Sequence, residues 1–391
     1  MASSSTQHGD SEFGENAFSR SIDRLRIQYI NSAMAVSKLP RALLKEKKRA
    51  QARLDAYIYP IHTLPPEIMS EIFTHVLPPY PLRPRANGFD SPTLLSHVCR
   101  SWREIALSTP RLWRAIAIHL SGLLSCPAKV HMLETWLQRS QCCPLSISIR
   151  AGSHTKISLL DRVLPTLFAQ CHRWEYLRLV GPFDLEIYFA FFKHHDTKVD
   201  QPVAVFRNVP RLRAIVLLSD YVPPYITLPW SQLTHFTAKF LNQKSCSALL
   251  QKMPRLIYCK IQLTGYNPAE NPPIVLARLE TLILQNASCS PSHNKLTGLL
   301  ASLTLPSLRR LHVPQTFLLP DPVETFSQFV SRSGCGDLQQ VSIVGKIKAG
   351  EYQETSAMRG IAGKSRVIVQ SKYTADDVDS ETDEEDDFSR Y

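Results

Sequence analysis

Apolar and polar positions alternate most tellingly between Ile61 and Trp113. Ile68, Ile72 and Val76 recur every four residues with Phe73 beside them, the spacing of one helical face. Pro65 and Pro66 suit a first helical turn, where a missing N–H costs nothing, and Glu67 suits the positive end of the dipole. Pro78-Pro79 stops the run, and Ser91-Pro92 opens a second helix with apolar positions Leu95, Val98, Trp102 and Ile105. Ser108-Thr109-Pro110 punctuates it, and Leu112-Trp113 closes the segment. Between the helices, the insert from Pro78 to Ser91 has the Pro and Gly content of a loop and is expected to bulge outward. A piece of about fifty residues cannot bury this much apolar surface alone. Part of it is therefore expected to face a partner; the alternative is an ordinary helical hairpin at a domain's edge.

After Leu145 a degenerate pattern, L-x-x-L-x-L, recurs. Its first positions are Trp174, Leu212, Leu233, Leu256, Leu279, Leu308 and Leu338, spaced 38, 21, 23, 23, 29 and 30 residues apart. Helical stretches precede several of them: 245–253, 294–303 and 322–332. A strand and a helix per unit is the signature of a leucine-rich repeat, whose units must stack because none buries its own apolar face. The asparagine that often follows such strands is missing; Asp220, Leu241, Thr264, Ala287, Thr316 and Lys346 stand there. The expectation is an irregular arc of six or seven strands, with a generic parallel α/β domain as the alternative. Period-two alternation puts His235, Tyr258, Lys260, Arg310 and His312, with Ala214 and Val216, on its open face. That set has no carboxylate, which suits an acidic or phosphorylated client.

Charge is unevenly distributed over the 391 residues, whose net charge is +11. Asp376 to Asp387 holds nine acids; without residues 376–391 the body carries 44 basic and 25 acidic residues. Such a tail reads as solvated and disordered, with Ser380 and Thr382 as candidate phosphorylation sites. From Ser19 to Tyr59 runs a basic stretch with Ile22, Leu25 and Tyr29 at helical spacing and KEKKRAQAR at Lys45 to Arg53. It reads as a solvated helical arm, a self-association helix, or a nucleic-acid or nuclear-import patch. No apolar run is long enough to span a membrane and the first residues lack the order of a signal peptide, so a cytoplasmic or nuclear chain is expected. Nine cysteines without a CxxC pair read as reduced, small hydrophobic residues, with no metal and no cofactor.

Catalytic motifs are not found. Gly360-Ile-Ala-Gly363-Lys364-Ser365 is two residues short of a phosphate-binding loop, and His194-His195-Asp196 reads as a polar loop. No catalytic residue is assigned, and the chain is read as a non-enzyme.

The stretches LPPEIMSEIF and LSHVCRSWREIALSTPRLW resemble the F-box, at Leu64, Pro65, Glu67, Ile68, Ile72 and Phe73 and at Leu95, Val98, Cys99, Arg100, Trp102 and Trp113. The resemblance implies a small three-helix module that docks on an Skp-family adaptor and, through it, a cullin, while the remainder captures a client. It makes Leu64, Pro65, Ile68, Ile72, Phe73, Leu95, Val98 and Trp102 the adaptor-binding residues or their support, Trp102 and Trp113 chiefly as core. The expected fold is α+β and multi-domain. Residues 1–18 are disordered, 19–60 a basic arm, 61–118 the F-box, 140–345 a leucine-rich-repeat-like α/β solenoid, and 346–391 a disordered tail. The function implied is that of a non-catalytic substrate receptor of an SCF-type ubiquitin ligase; the alternative is a nucleic-acid or anionic-surface binder using the basic arm.

Overall fold

The computed structural model describes residues 7–34, 41–55, 60–120, 126–152, 157–181, 209–218, 228–264, 272–286, 297–345 and 366–370. The chain divides into two compact units, 1–69 and 70–391. His194–Asp196, Gly360–Ser365, Asp220, Ala287, Lys346 and the acidic tail lie outside the described residues.

In the first unit the helices α1 (Gln7–Met34) and α2 (Arg41–Asp55) are packed on each other. α1 begins well before Ser19, so the first eighteen residues are not all without regular structure. Ile30 and Ala50 are buried, and Asp23 is buried with its carboxylate on Arg53. Arg53 Nε donates to Asp23 Oδ2 at 3.0 Å, and a second donor of the same guanidinium reaches Oδ1, a fork that fits a planar carboxylate. This hydrogen-bonded guanidinium holds the Asp23 carboxyl below the usual carboxylate range.

In the second unit, α3 (Pro66–Val76), whose first turn belongs to the first unit, is followed by α4 (Pro92–Val98) and α5 (Arg100–Ser108). Among the described residues, ten strands then form one parallel sheet: β1 (Ala115–His119), β2 (Leu145–Arg150), β3 (Trp174–Val180), β4 (Ala214–Leu218), β5 (His235–Asn242), β6 (Tyr258–Thr264), β8 (Thr281–Asn286), β10 (Arg310–Pro314), β11 (Gln340–Val344) and β12 (Arg366–Gln370). Two short strands, β7 (Ile274–Val275) and β9 (Leu303–Thr304), pair separately. Each strand of the large sheet lies beside the next in sequence, apart from those two. The sheet begins earlier than residue 140 and ends later than 345. β1 and β2 (AIAIH, LSISIR) and β12 (RVIVQ) are built from β-branched and small residues, which carry strand propensity but not the leucine pattern.

At all seven leucine-pattern sites the second and third apolar positions fall on a strand, the first, Trp174 apart, falls on the turn before it, and all are buried. One register row reads Ile116, Ile147, Leu177, Ile215, Phe236, Cys259, Leu282, Leu311 and Val341. Each fully buried aliphatic side chain of such a row contributes about 1.5–3 kcal/mol. Buried side chains come also from α6 (Cys126–Arg139), α7 (Ile157–Phe168), α8 (Gln243–Leu250), α9 (Thr297–Ser302) and α10 (Pro322–Ser333). Leu133, Val163, Cys246, Leu300 and Phe326 supply them. The turns are satisfied by backbone: Arg213 N donates to Glu175 O, Ile257 N to Thr234 O, Arg309 N to Glu280 O and Gln339 N to Arg309 O, all within 2.7–2.9 Å. These bonds lie at the entry of each strand, not at its exit, where the asparagine positions fall. At Gly181 (φ +110°) the chain passes so close to β2's end that an added Cβ would collide with the Ala151 carbonyl.

The insert Pro78–Ser91 does not bulge away. Its first residues lie on the opposite, front face of the sheet. Leu82 packs on Val180, Ala214, Val216 and Leu218 together with Tyr176. Ser146 Oγ donates to Pro81 O at 2.7 Å, and Tyr80 OH donates to Glu175 Oε2 at 3.0 Å. Ala214 and Val216, expected on an open surface, are buried. Apolar Leu82 and a ring-bearing Tyr80, easily discounted within a Pro-rich loop, are what bring it down.

Candidate functional site

The segment that resembles a docking module is built on two kinds of helical face. In α3, Met69 and Phe73 are buried, with Leu77 continuing their line just past the helix. One residue back at each step, Ile68, Ile72 and Val76 form a second row that is 50%, 37% and 46% exposed. Rows four residues apart and offset by one lie about 100° apart around a helix, so α3 is apolar on two sides and uses only one internally. Its first hydrogen bond, Met69 N to Pro65 O at 3.1 Å, places Pro65 before the helix and Glu67 in the first turn, as the dipole favours.

α4 is set by Ser91, whose Oγ accepts from Thr93 N at 3.1 Å and donates to Ala86 O at 2.8 Å. Leu95 and Ser96 point inward while Leu94 is exposed and Val98 is 55% exposed. Cys99 then caps α5, its Sγ accepting from Trp102 N at 3.5 Å. Arg103 Nε donates to Ser96 O at 2.8 Å and ties the two helices together.

Beneath these faces the aromatic residues form the support. Phe73 and Trp102 meet at 4.9 Å between ring centroids. Trp113 is fully buried; its Nε1 donates to Ala106 O at 2.9 Å, its ring meets Trp136 edge-on at 5.4 Å, and Arg139 lies over it at 4.3 Å. Trp113 thereby joins the end of α5 to α6 and the first strand.

Of the residues singled out from sequence for docking, Leu64, Pro65, Ile68, Ile72 and Val98 are exposed, Trp102 is half-buried, and Phe73 and Leu95 are buried. Phe73 and Leu95 therefore carry the face from below and cannot touch a partner. Val76 and Leu94 were missed; Val76's place in the four-residue spacing was the available signal. The sheet does not seal this segment. Its insert is anchored, but the outward rows of α3 and α4 are not covered.

On the front face of the sheet, Arg310 is exposed and Lys260, His235 and His312 are half-buried. Tyr258 is buried and stacks on His235 at 6.0 Å, so it supports the face rather than lining it. Burial pushes the His235 imidazole down to about 4, which keeps it neutral, with Nδ1 2.8 Å from Thr234 Oγ1. Strands β5, β6, β8, β10 and β11 contain no Asp or Glu.

In the first unit a cleft of about 420 Å³ is lined by Arg26, Ala42, Lys45, Glu46, Arg49 and Arg53. Two of its four cations are committed, Arg53 to Asp23 and Arg26 to Glu46 at 2.6 Å. Among the described residues no group of His, Cys, Asp and Glu is placed to hold a metal ion, and no helix is long and apolar enough to cross a membrane.

Comparison with curated proteins gives no match. A family model does match part of the chain: residues 61–119, from the turn before α3 to the end of β1, form an F-box-like domain.

Proposed function

We propose that the chain is a non-catalytic substrate receptor of an SCF-type cullin–RING ubiquitin ligase. The F-box-like domain docks on an Skp-family adaptor and, through it, the cullin, and the sheet, read as an irregular leucine-rich-repeat-like arc, holds a client. The observation that carries this reading is the pair of uncovered apolar rows, Ile68-Ile72-Val76 on α3 and Leu94-Val98 on α4, inside the segment that matches the F-box-like family. Two-sided apolar helices in a small module are stable in water only at the cost of exposed surface, which a partner relieves. The client face is the part of the sheet front from β5 to β11, where Lys260, Arg310 and His312 stand without a carboxylate between them. Cationic groups of this kind favour an acidic or phosphorylated segment.

The test is co-purification of an Skp-family adaptor with the full chain and with an Ile72→Glu/Val98→Glu variant. Two charges buried in an apolar contact cost several kcal/mol, about 100-fold or more in affinity. Equal recovery of adaptor by both chains refutes the docking face.

The second reading, an anionic-surface or nucleic-acid binder, draws on the basic cleft of the first unit, where Lys45 and Arg49 form no ion pair among the described residues. It predicts binding to random duplex that weakens steeply with salt and disappears on deleting residues 38–53.

A further inference from the structure

α1 is apolar on two sides, and α2 covers only one of them. Asp23 and Ile30 are buried, with Asp23 bound to Arg53 of α2. Phe18, Ile22, Leu25 and Tyr29 are 70%, 42%, 65% and 70% exposed. They are spaced four, three and four residues apart, the spacing of a coiled-coil seam. The sequence alone leaves such a stripe open to being covered by the rest of its own unit; the geometry shows that α2 does not cover it.

We propose that this stripe is a self-association surface, occupied by the same stripe of a second copy running antiparallel. A two-fold contact requires a surface complementary to itself, and this one has that property. Its spacing reads the same from either end, and so does its chemistry: aromatic, aliphatic, aliphatic, aromatic. With the axis midway between Ile22 and Leu25, Ile22 meets Leu25 of the second copy and Phe18 meets Tyr29.

The positions bordering the seam are Ser19, Ser21, Arg26 and Gln28. Arg26, the one charge among them, is held by Glu46 at 2.6 Å, so the two copies bring no uncompensated like charges together. The four exposed side chains amount to about 500 Å² per copy, or about 1,000 Å² for both, the lower bound of a specific interface. The dimer is therefore a weak one, half-formed at about 10–100 μM.

Sedimentation equilibrium of the full chain over about 1–200 μM tests this. The mass is expected to rise from 44.2 kDa towards twice that value. Ile22→Glu and Leu25→Lys chains are each expected to stay monomeric, and their equimolar mixture to dimerise, because the antiparallel register sets the new glutamate against the new lysine. Helical circular dichroism checks that the variants fold; if either loses it, Ile22→Gln and Leu25→Gln replace them, each weakening association about tenfold. A wild-type chain that stays at 44.2 kDa throughout overturns the proposal. So do variants that associate as the wild type does, or a mixture that stays monomeric while the wild type dimerises.

Discussion

The docking of Tyr80 and Leu82 on the sheet front makes a graded prediction about stability. Tyr80→Phe removes one hydroxyl. That hydroxyl stays protonated because burial, and then Glu175, push it above the usual phenol value, so it donates to Glu175 at 3.0 Å. A hydrogen bond to a charged group is worth about 1.5–3 kcal/mol. Glu175 keeps Arg213 at 3.6 Å and some contact with water, which places the loss at about 1 kcal/mol. Leu82→Ala removes a partly buried leucine from the cluster of Val180, Ala214, Val216 and Leu218, about 2 kcal/mol, the low end for such truncations. Tyr80→Ala removes the hydroxyl, the edge contact with Tyr176 at 5.4 Å and the ring beneath Arg114 at 3.8 Å, about 3 kcal/mol in all. At about 2 °C per kcal/mol for a unit of this size, the melting temperature should fall by about 2, 4 and 6 °C in that order. Differential scanning fluorimetry measures it, with Phe89→Ala, an almost wholly exposed residue of the same insert, as the control. Hydrogen exchange at the Leu82 amide, which donates to Pro79 O at 2.9 Å, should speed up in parallel. A Tyr80→Ala chain that melts with the Phe89→Ala control refutes the anchoring of the insert.

Other consequences are as direct. Gly181→Ala forces a side chain into a left-handed conformation against the Ala151 carbonyl and should cost about 2 kcal/mol or more, read as a lower melting temperature. His235 titrates at about 4 in the fold against 6.5 free, so between those values the unfolded chain takes up a proton that the folded one does not. Its stability contribution is complete above pH 6.5 and is lost as pH falls towards 4, about 2 kcal/mol after discounting for solvent; His235→Gln should flatten that slope in urea titrations. Asp23, held below its ordinary 3.8 by Arg53, stabilises the α1–α2 pair above that value and ceases to as pH drops through its lowered one. Asp23→Asn should therefore expose α2 to proteolysis at neutral pH, and unchanged cleavage would count against the pair.

What the sequence made legible follows from how strongly each element announces itself. In the F-box-like domain α3 and the start of α4 were marked by prolines and by apolar spacing, whereas the run from Leu95 to Ile105 was read as one helix and the extended residue Cys99 divides it into α4 and α5. Seven strands were marked by leucines whose side chains all turn inward. β1, β2 and β12 escaped because short alternating runs such as AIAIH and RVIVQ carry too little pattern to separate them from loop. The insert was misread because Pro and Gly content reports local conformation and says nothing of what a tyrosine and a leucine within it will bury against. Phe73 and Leu95 were assigned to the docking face for a related reason. Periodicity finds the apolar positions of a helix but cannot tell the inward row of α3 from the outward one, since both repeat every four residues.

The insert also constrains how a client can be held, on the reading proposed above. A sheet of ten parallel strands offers one front, and the first strands of that front are spoken for: Tyr80, Pro81 and Leu82 cover the ground from Ser146 on β2 to Leu218 on β4. Displacing them would expose the Val180–Leu218 cluster and leave Glu175 without its phenolic donor, a cost of several kcal/mol that a weakly bound client does not return. A client is therefore expected beyond β4, where Lys260 and Arg310 lie on the front face, and not against the buried Ala214 and Val216. The same contact fixes the end of α3 to the sheet through a few residues of chain, with Trp113 fixing the end of α5 to α6. A segment joined at both ends in this way holds its exposed row, Ile72 and Val76 with Leu94 and Val98, in one attitude to the sheet. Transfer of a group from a partner docked on that row to a client held on the front needs such a fixed attitude, and a flexible linker in place of the insert would not supply it.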